Sequence, residues 1–185
     1  SNDQKWSQTL EFAEQIKQRL AEHLDHLRIQ IDDRDNLRPG DKFFHWIQQG
    51  VPVRVEIGPR DVEQLSAMVA RRDVRDKKLV PLDEIADHVM RLLQQIQRDL
   101  YQRALDFREA NTRTASSYGE FKEILGQEGG FIRAHWNDTR EAENLIKNET
   151  KATIRCIPLN DQPEAGKCIL TGEPSKQEVI FAIAY

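Results

Sequence analysis

The residues best suited to chemistry crowd into one stretch of the first half of the chain. Lys42-Phe43-Phe44-His45-Trp46 is followed at once by Gly50-Val51-Pro52-Val53-Arg54-Val55-Glu56-Ile57-Gly58-Pro59-Arg60-Asp61. Two arginines, an aspartate and several aromatics thus gather at the two ends of one alternating segment. A guanidinium fork donates to an acceptor pair such as O6 and N7 of guanine, and a carboxylate accepts from donors such as guanine N1 and N2. Aromatic rings beside such groups stack on bases splayed out of a single strand. The grouping suits the reading of unpaired guanines in a loop. It equally fits a strand with solvated charges and with Phe43, Phe44 and Trp46 in the core, and the residues alone leave both open.

Other candidates are weaker. His23 and His26 stand three apart on a helix, a spacing that can hold a metal, but no third ligand lies nearby and two solvated histidines explain them. Asp32, Asp33 and Asp35 could coordinate Mg²⁺, although acidic segments after a strand commonly serve as turns. No phosphate loop, dinucleotide fingerprint, HExxH or GxSxG motif is present, and nothing assembles nucleophile, base and orienting group. These residues describe a binding module.

The elements that must position them follow from periodicity. Leu10, Ala13, Ile16, Leu20 and Leu24 predict a helix over 6–24, and Leu27–Asp32 alternates as a half-buried strand. Asp33–Gly40 is a loop, Asp41–Gln49 a short helix with Gly50 at its C′ position, and Val51–Ile57 a strand broken by Gly58–Pro59. A strand is expected around Ala67–Arg71 and a charged turn over Asp73–Lys78. Pro81 suits the first turn of a long helix running to about Asn111, some 45 Å by the usual rise, which would bridge two modules. Beyond it, Ser117 with Glu120 and Asp138 with Glu141 read as capping boxes, the latter opening a helix over Ala142–Glu149. Strands fit Phe131–Trp136, Thr153–Leu159 and Val179–Tyr185. Alternating strands and helices indicate an α/β layer domain.

Composition bounds the partners. The 185 residues hold 27 lysines and arginines against 31 aspartates and glutamates, a formal net charge of −4, which excludes a globally basic nucleic-acid or membrane-surface binder. Residues 1–80 hold 14 bases and 14 acids and residues 81–185 hold 13 and 17, so a polyanion should meet a local patch of the first half. No apolar run approaches the roughly 20 residues of a membrane span. Two cysteines make no disulfide scaffold, and a reducing cytoplasm is the expectation.

The segment GVPVRVEIGPRD (Gly50–Asp61), with KFFHW before it and ARRD (Ala70–Asp73) after it, resembles the anticodon-binding domain of prolyl-tRNA synthetases of the archaeal/eukaryotic-like type. The resemblance extends through DDRDNLRPG (Asp32–Gly40), GGFIRAHW (Gly129–Trp136), TKATIRCIPL (Thr150–Leu159) and GKCILTGEPSK (Gly166–Lys176) to Phe181–Tyr185. It implies an α/β class II synthetase anticodon-binding domain, a mixed sheet with flanking helices, over 1–80. A connecting helix and linker over 81–116 and a small α+β C-terminal domain over 117–185 would follow. It further implies recognition of the two anticodon guanines of proline tRNA: Arg54 and Arg60 would donate to guanine acceptors, Asp61 would accept from its donors, and Phe43 would lie near a base face.

Three departures from that pattern carry expectations. Ile47 stands where the family usually has a glutamate after the tryptophan, and isoleucine cannot accept from guanine. The positions matching the family's zinc-binding pairs are Asn137 and Ala142, then Cys168 and Thr171; one thiolate cannot hold tetrahedral zinc, so no metal is expected. The catalytic domain, which would use ATP and Mg²⁺, would lie upstream, as would the strand preceding the first helix, so this chain alone is expected to be inactive. Dimer contacts of the homodimeric family would fall largely in that domain. A regulatory or protein-interaction module derived from a synthetase is the competing reading, and retention of Arg54, Arg60 and Asp61 speaks against it.

Overall fold

The computed structural model describes residues 2–23, 27–127, 129–159 and 165–184. The chain divides into two compact units, Ser1–Tyr101 and Gln102–Tyr185, and the division falls inside one helix.

In the first unit, α1 (Asn2–His23) buries Phe12, Ile16 and Leu20, which recur every four residues along one face. That face packs on a three-stranded antiparallel sheet of order β1-β2-β3: β1 (Val53–Glu56), β2 (Ser66–Arg71) and β3 (Lys77–Pro81). Ala67 and Val69 of the central strand, Val80 of β3, and Ile85 and Val89 of helix α4 (Ile85–Ala110) close this core. Full burial of such side chains is worth about 1.5–3 kcal/mol each. Two shorter helices, α2 (Pro39–Gln48) and α3 (Pro59–Glu63), flank β1 in the chain and carry most of the candidate residues.

The second unit holds a four-stranded mixed sheet of order β4-β5-β9-β6, with β4 (Thr112–Thr114) parallel to β5 (Phe131–Trp136). Strands β9 (Gln177–Ile183) and β6 (Ala152–Cys156) continue it antiparallel. Helices α5 (Tyr118–Gln127) and α6 (Arg140–Thr150) contribute Phe121 and Ile146 to its core, where Phe121 meets Phe181 edge-to-face at 5.2 Å. A small hairpin of β7 (Gly166–Lys167) and β8 (Pro174–Ser175) completes the unit. Gly166 lies so close against the His135 ring that a Cβ there would collide with it.

Several expectations need correction. Leu27–Asp32 is extended, and Leu27 and Ile29 pack on the core, but among the described residues it pairs with no strand. Alternation reports which side chains are buried; it does not supply a ladder partner. Pro81 ends β3 opposite Ser66 instead of opening a helix, and α4 starts at Ile85. β3 is an edge strand, where a residue without an N–H is tolerated. Asp138 does not cap α6: it adopts φ 59°, and the Thr139 hydroxyl accepts from Ala142 N at 3.3 Å. Ser117 does cap α5, receiving Glu120 N at 3.2 Å, but the Glu120 carboxylate turns to the N–H and hydroxyl of Ser116. The expected partners His26 and Leu24, and Tyr185, lie outside the described residues.

Candidate nucleic-acid interface

The site is built on β1. Arg54 and Glu56 are two residues apart on a strand and so share a face. Arg54 donates from Nε (2.9 Å) and Nη2 (2.7 Å) to Glu56 Oε1, and its guanidinium carbon lies 4.2 Å from the centre of the Phe43 ring of α2. Lys77 of β3 reaches the same carboxylate, donating from Nζ to Oε1 and Oε2 at 2.8 and 2.9 Å, and stands 5.4 Å from the centre of the Phe43 ring. The register explains the meeting: Arg54 pairs with Ala70, and Ala70 with Lys77, so a small residue separates two cations in one cross-strand row. Burial pushes the Glu56 carboxyl up, but the hydrogen bonds from Lys77 and Arg54 outweigh it and hold it below the usual value. Glu56 is therefore a charged clamp on Arg54 at neutral pH.

A guanidinium has five N–H bonds, and two of Arg54's go to Glu56, so three remain. They include the outer edge of the fork, while Phe43 holds the plane. That is the geometry needed for two parallel donations to a base edge.

Arg60 and Asp61 form a second group at the start of α3. Gly58 precedes the helix, Pro59 occupies its first turn, and Asp61 Oδ2 accepts from Gly58 N at 2.7 Å. Asp61 thus serves the helix start with one oxygen and leaves the other. Arg60 is exposed and its side chain makes no hydrogen bond or ion pair among the described residues. Together with Lys5, Gly58, Pro59 and Glu63 the two line an open depression of about 530 Å³. The structure therefore joins Phe43 to Arg54 directly and leaves Arg60 and Asp61 as a separate pair beyond the strand.

The aromatic residues of α2 are not core residues: the helix buries none of its side chains, and Phe44 is 62% exposed. Ile47, one turn after Phe43, is exposed as well. Trp46 donates from Nε1 to Asp32 Oδ2 at 2.8 Å, and Arg34 donates to both oxygens of the same carboxylate, at 2.8 and 2.7 Å. Arg34, with Trp46, holds the Asp32 carboxyl well below the usual carboxylate range despite its partial burial. Asp32 is thus a staple for α2, and among the described residues no three His, Cys, Asp or Glu side chains gather to hold a metal ion. His23 Nδ1 is engaged with Arg19 O at 2.8 Å. Sequence reasoning missed Glu56 and Lys77, and the only signal for Glu56 was its place two residues beyond Arg54.

In the second unit the positions matching a zinc site hold a hydrogen-bonded corner. Burial pushes the Cys168 thiol up, but hydrogen bonds from the Thr171 hydroxyl and from the backbone of Thr171, Leu170 and Asn137 more than offset it. Asn137 Nδ2 donates to Glu173 Oε2 at 2.7 Å, and Thr171 Oγ1 stands 3.2 Å from the same oxygen, so its one hydrogen is shared between Glu173 and the Cys168 sulfur. With an amide, a methyl and a hydroxyl beside one thiol, these residues do not fit tetrahedral zinc.

Comparison with known proteins bears on both units. Residues 3–92 match the family model for the anticodon binding domain, and residues 118–185 that for the prolyl-tRNA synthetase C-terminal domain. The chain is 49% identical over 175 residues to the proline–tRNA ligase of Roseiflexus sp. (strain RS-1), covering 93% of this chain and 36% of that protein. It is 47% identical over 184 residues to that of Porphyromonas gingivalis (strain ATCC BAA-308 / W83), covering 100% of this chain and 37% of the relative. The prolyl-tRNA synthetase of Cryptosporidium parvum, solved with halofuginone and AMPPNP, superposes with a TM-score of 0.85 at 28% identity, covering 96% of this chain and 37% of that one. The chain therefore belongs to the prolyl-tRNA synthetase family, as an anticodon-binding domain followed by the C-terminal domain that bears the family's name.

Proposed function

We propose that the first unit reads the guanines of the proline anticodon, as the recognition part of an enzyme that ligates proline to its tRNA with ATP. Arg54 donates its outer edge to guanine O6 and N7, Phe43 backs the guanidinium and offers its ring to a base face, and Arg60 and Asp61 address a second guanine. The observation that carries this reading is the Arg54 fork, clamped by Glu56 and laid on Phe43 at 4.2 Å, with donors to spare. A fork fixed before binding loses little entropy on meeting its base. Ile47 supplies no acceptor, so the carboxylate role falls to Asp61. The catalytic chemistry, with ATP and Mg²⁺, and the homodimer contacts belong to the part of such an enzyme beyond this chain, and the whole acts in the cytoplasm. No helix among the described residues is long and apolar enough to cross a membrane.

The test is a titration of the chain with a proline tRNA transcript and with transcripts altered at each anticodon guanine, at two salt concentrations. Loss of binding on guanine substitution supports the reading. Binding that ignores the anticodon yet falls with salt means phosphate contact alone. No binding favours a protein-interaction module.

A further inference from the structure

We propose that the β2–β3 hairpin is a phosphate-binding edge that holds the backbone of the RNA strand whose guanines Arg54 reads; this rests on the function proposed above. Residues 71–78, RRDVRDKK, hold five bases and two acids in a chain whose net charge is −4. One of those bases is consumed. Arg71, with its side chain 8% exposed, donates from Nε and Nη2 to Asp73 at 3.0 and 2.8 Å and from Nη2 to Asp99 at 2.8 Å. Asp73 is thereby engaged by Arg71. Arg72, Arg75, Lys77 and Lys78 remain exposed. Lys77 reaches back to Glu56, and Lys78, next to it on the strand, lies on the opposite face, where its charge acts on His88, whereas the side chains of Arg72 and Arg75 have no hydrogen bond or ion pair among the described residues. Asp76 is the single other acid of the turn.

Position ties this edge to the base-reading pair. Arg72 N donates to Pro52 O at 3.0 Å, two residues before Arg54, and Lys77 begins β3 in the same cross-strand row as Arg54. Lys77 thus touches both groups: its ammonium shares Glu56 with Arg54 and faces Phe43, and its backbone leads straight into the turn. A base seated on Phe43 and Arg54 carries its own phosphates toward whatever adjoins that row, and what adjoins it is the turn that bears Arg72 and Arg75. Exposed arginines and lysines beside a base-reading group are the arrangement that fixes register on nucleic acid without reading sequence.

The experiment replaces Arg72 and Arg75 together (R72Q, R75Q) in the 185-residue chain, keeping Arg71, and measures affinity for the proline tRNA transcript across a salt series. Each lost phosphate contact removes about 0.7–0.9 from the slope of log K against log salt, so the double variant should have a slope shallower by about 1.5. Its preference for guanine over adenine at the anticodon should stay unchanged, its melting temperature should match the parent, and R72K with R75K should retain the parent slope. An unchanged slope overturns the hairpin proposal, whether the cations are merely solvated or serve an acidic protein. A parent chain that shows no guanine preference overturns the Arg54 reading alone, since the slope is read independently. Absence of RNA binding overturns both.

Discussion

Glu56→Gln tests whether the clamp, and not the positive charge of Arg54, creates guanine preference. Glutamine keeps one acceptor oxygen, on which both Arg54 bonds can still end, but without the charge that strengthens them, while its amide NH₂ confronts the Lys77 ammonium that now binds both oxygens. Arg54 retains its stacking on Phe43, worth about 0.5–1 kcal/mol, so its plane is loosened but not lost. A well-held bidentate contact discriminates between bases by about 1–3 kcal/mol. Partial loosening should then cost about 1 kcal/mol, or roughly five-fold in the ratio of affinities for guanine and adenine transcripts. Non-specific affinity should not fall, because removing a carboxylate beside two cations raises the local positive potential. Filter binding with paired transcripts reads both quantities. An intact guanine preference in a folded Glu56→Gln chain would refute the positioning argument, as would an equal loss for both transcripts.

Three further outcomes follow from the same geometry. Asp32 has a folded pKa held below its unfolded value, so its contribution is present above about pH 4 and is lost as pH falls through the lower folded value. Asp32→Asn should lower stability at pH 7 and flatten the acid limb below pH 4 in circular-dichroism melts; an unaltered limb would exclude the Asp32 staple. Phe181→Ala, which empties a fully buried position against Phe121, should cost about 3–5 kcal/mol in denaturant unfolding, and a loss under 1 kcal/mol would mean that the two rings do not pack as described. Cys156 is exposed and Cys168 buried, so a thiol reagent should label one cysteine in the native chain and both only on unfolding; stoichiometric zinc surviving dialysis against chelator would contradict the reading of the Cys168 corner.

The legible parts of the fold were those with a strong burial period. Phe131–Trp136 alternates inward and outward along its length, and β5 has those bounds. Val53–Glu56 and Ser66–Arg71 fell within a residue or two of expectation through residue type, since valines alternate with Arg54 and Glu56 in the first and Ala67–Ala70 is an unbroken apolar run in the second, although burial alternates in neither. β3 was missed because Val80 is its only buried residue, which leaves no period to detect. α3 was missed although its signal was present: glycine, proline and then an acid at the third position mark a helix start. In α1 the buried stripe runs through Phe12, not through Leu10 and Ala13, because both rows share the helical period and only the opposing sheet selects one.

The candidate site divides in the same way. Arg54, Arg60 and Asp61 were candidates from residue type, since their donors and acceptors suit guanine, and Phe43 was one for its ring. Lys77 was not, because it lies 21 residues from Glu56 and meets it only through the β1-β2-β3 register. Nor does residue type reveal that Asp61 spends one oxygen on Gly58, or that Asp32 is spent on Arg34 and Trp46.

The central claim is that Arg54 donates to the acceptor edge of an anticodon guanine. A double-mutant cycle tests it directly: parent and Arg54→Ala chains, each titrated with proline tRNA carrying guanine or 7-deazaguanine at each of the two anticodon guanine positions in turn. 7-Deazaguanine lacks the N7 acceptor and keeps the rest of the base. At one position the two losses should be strongly non-additive, with a coupling of about 1 kcal/mol or more, because both changes remove the same hydrogen bond. Additive losses at both positions would contradict the claim.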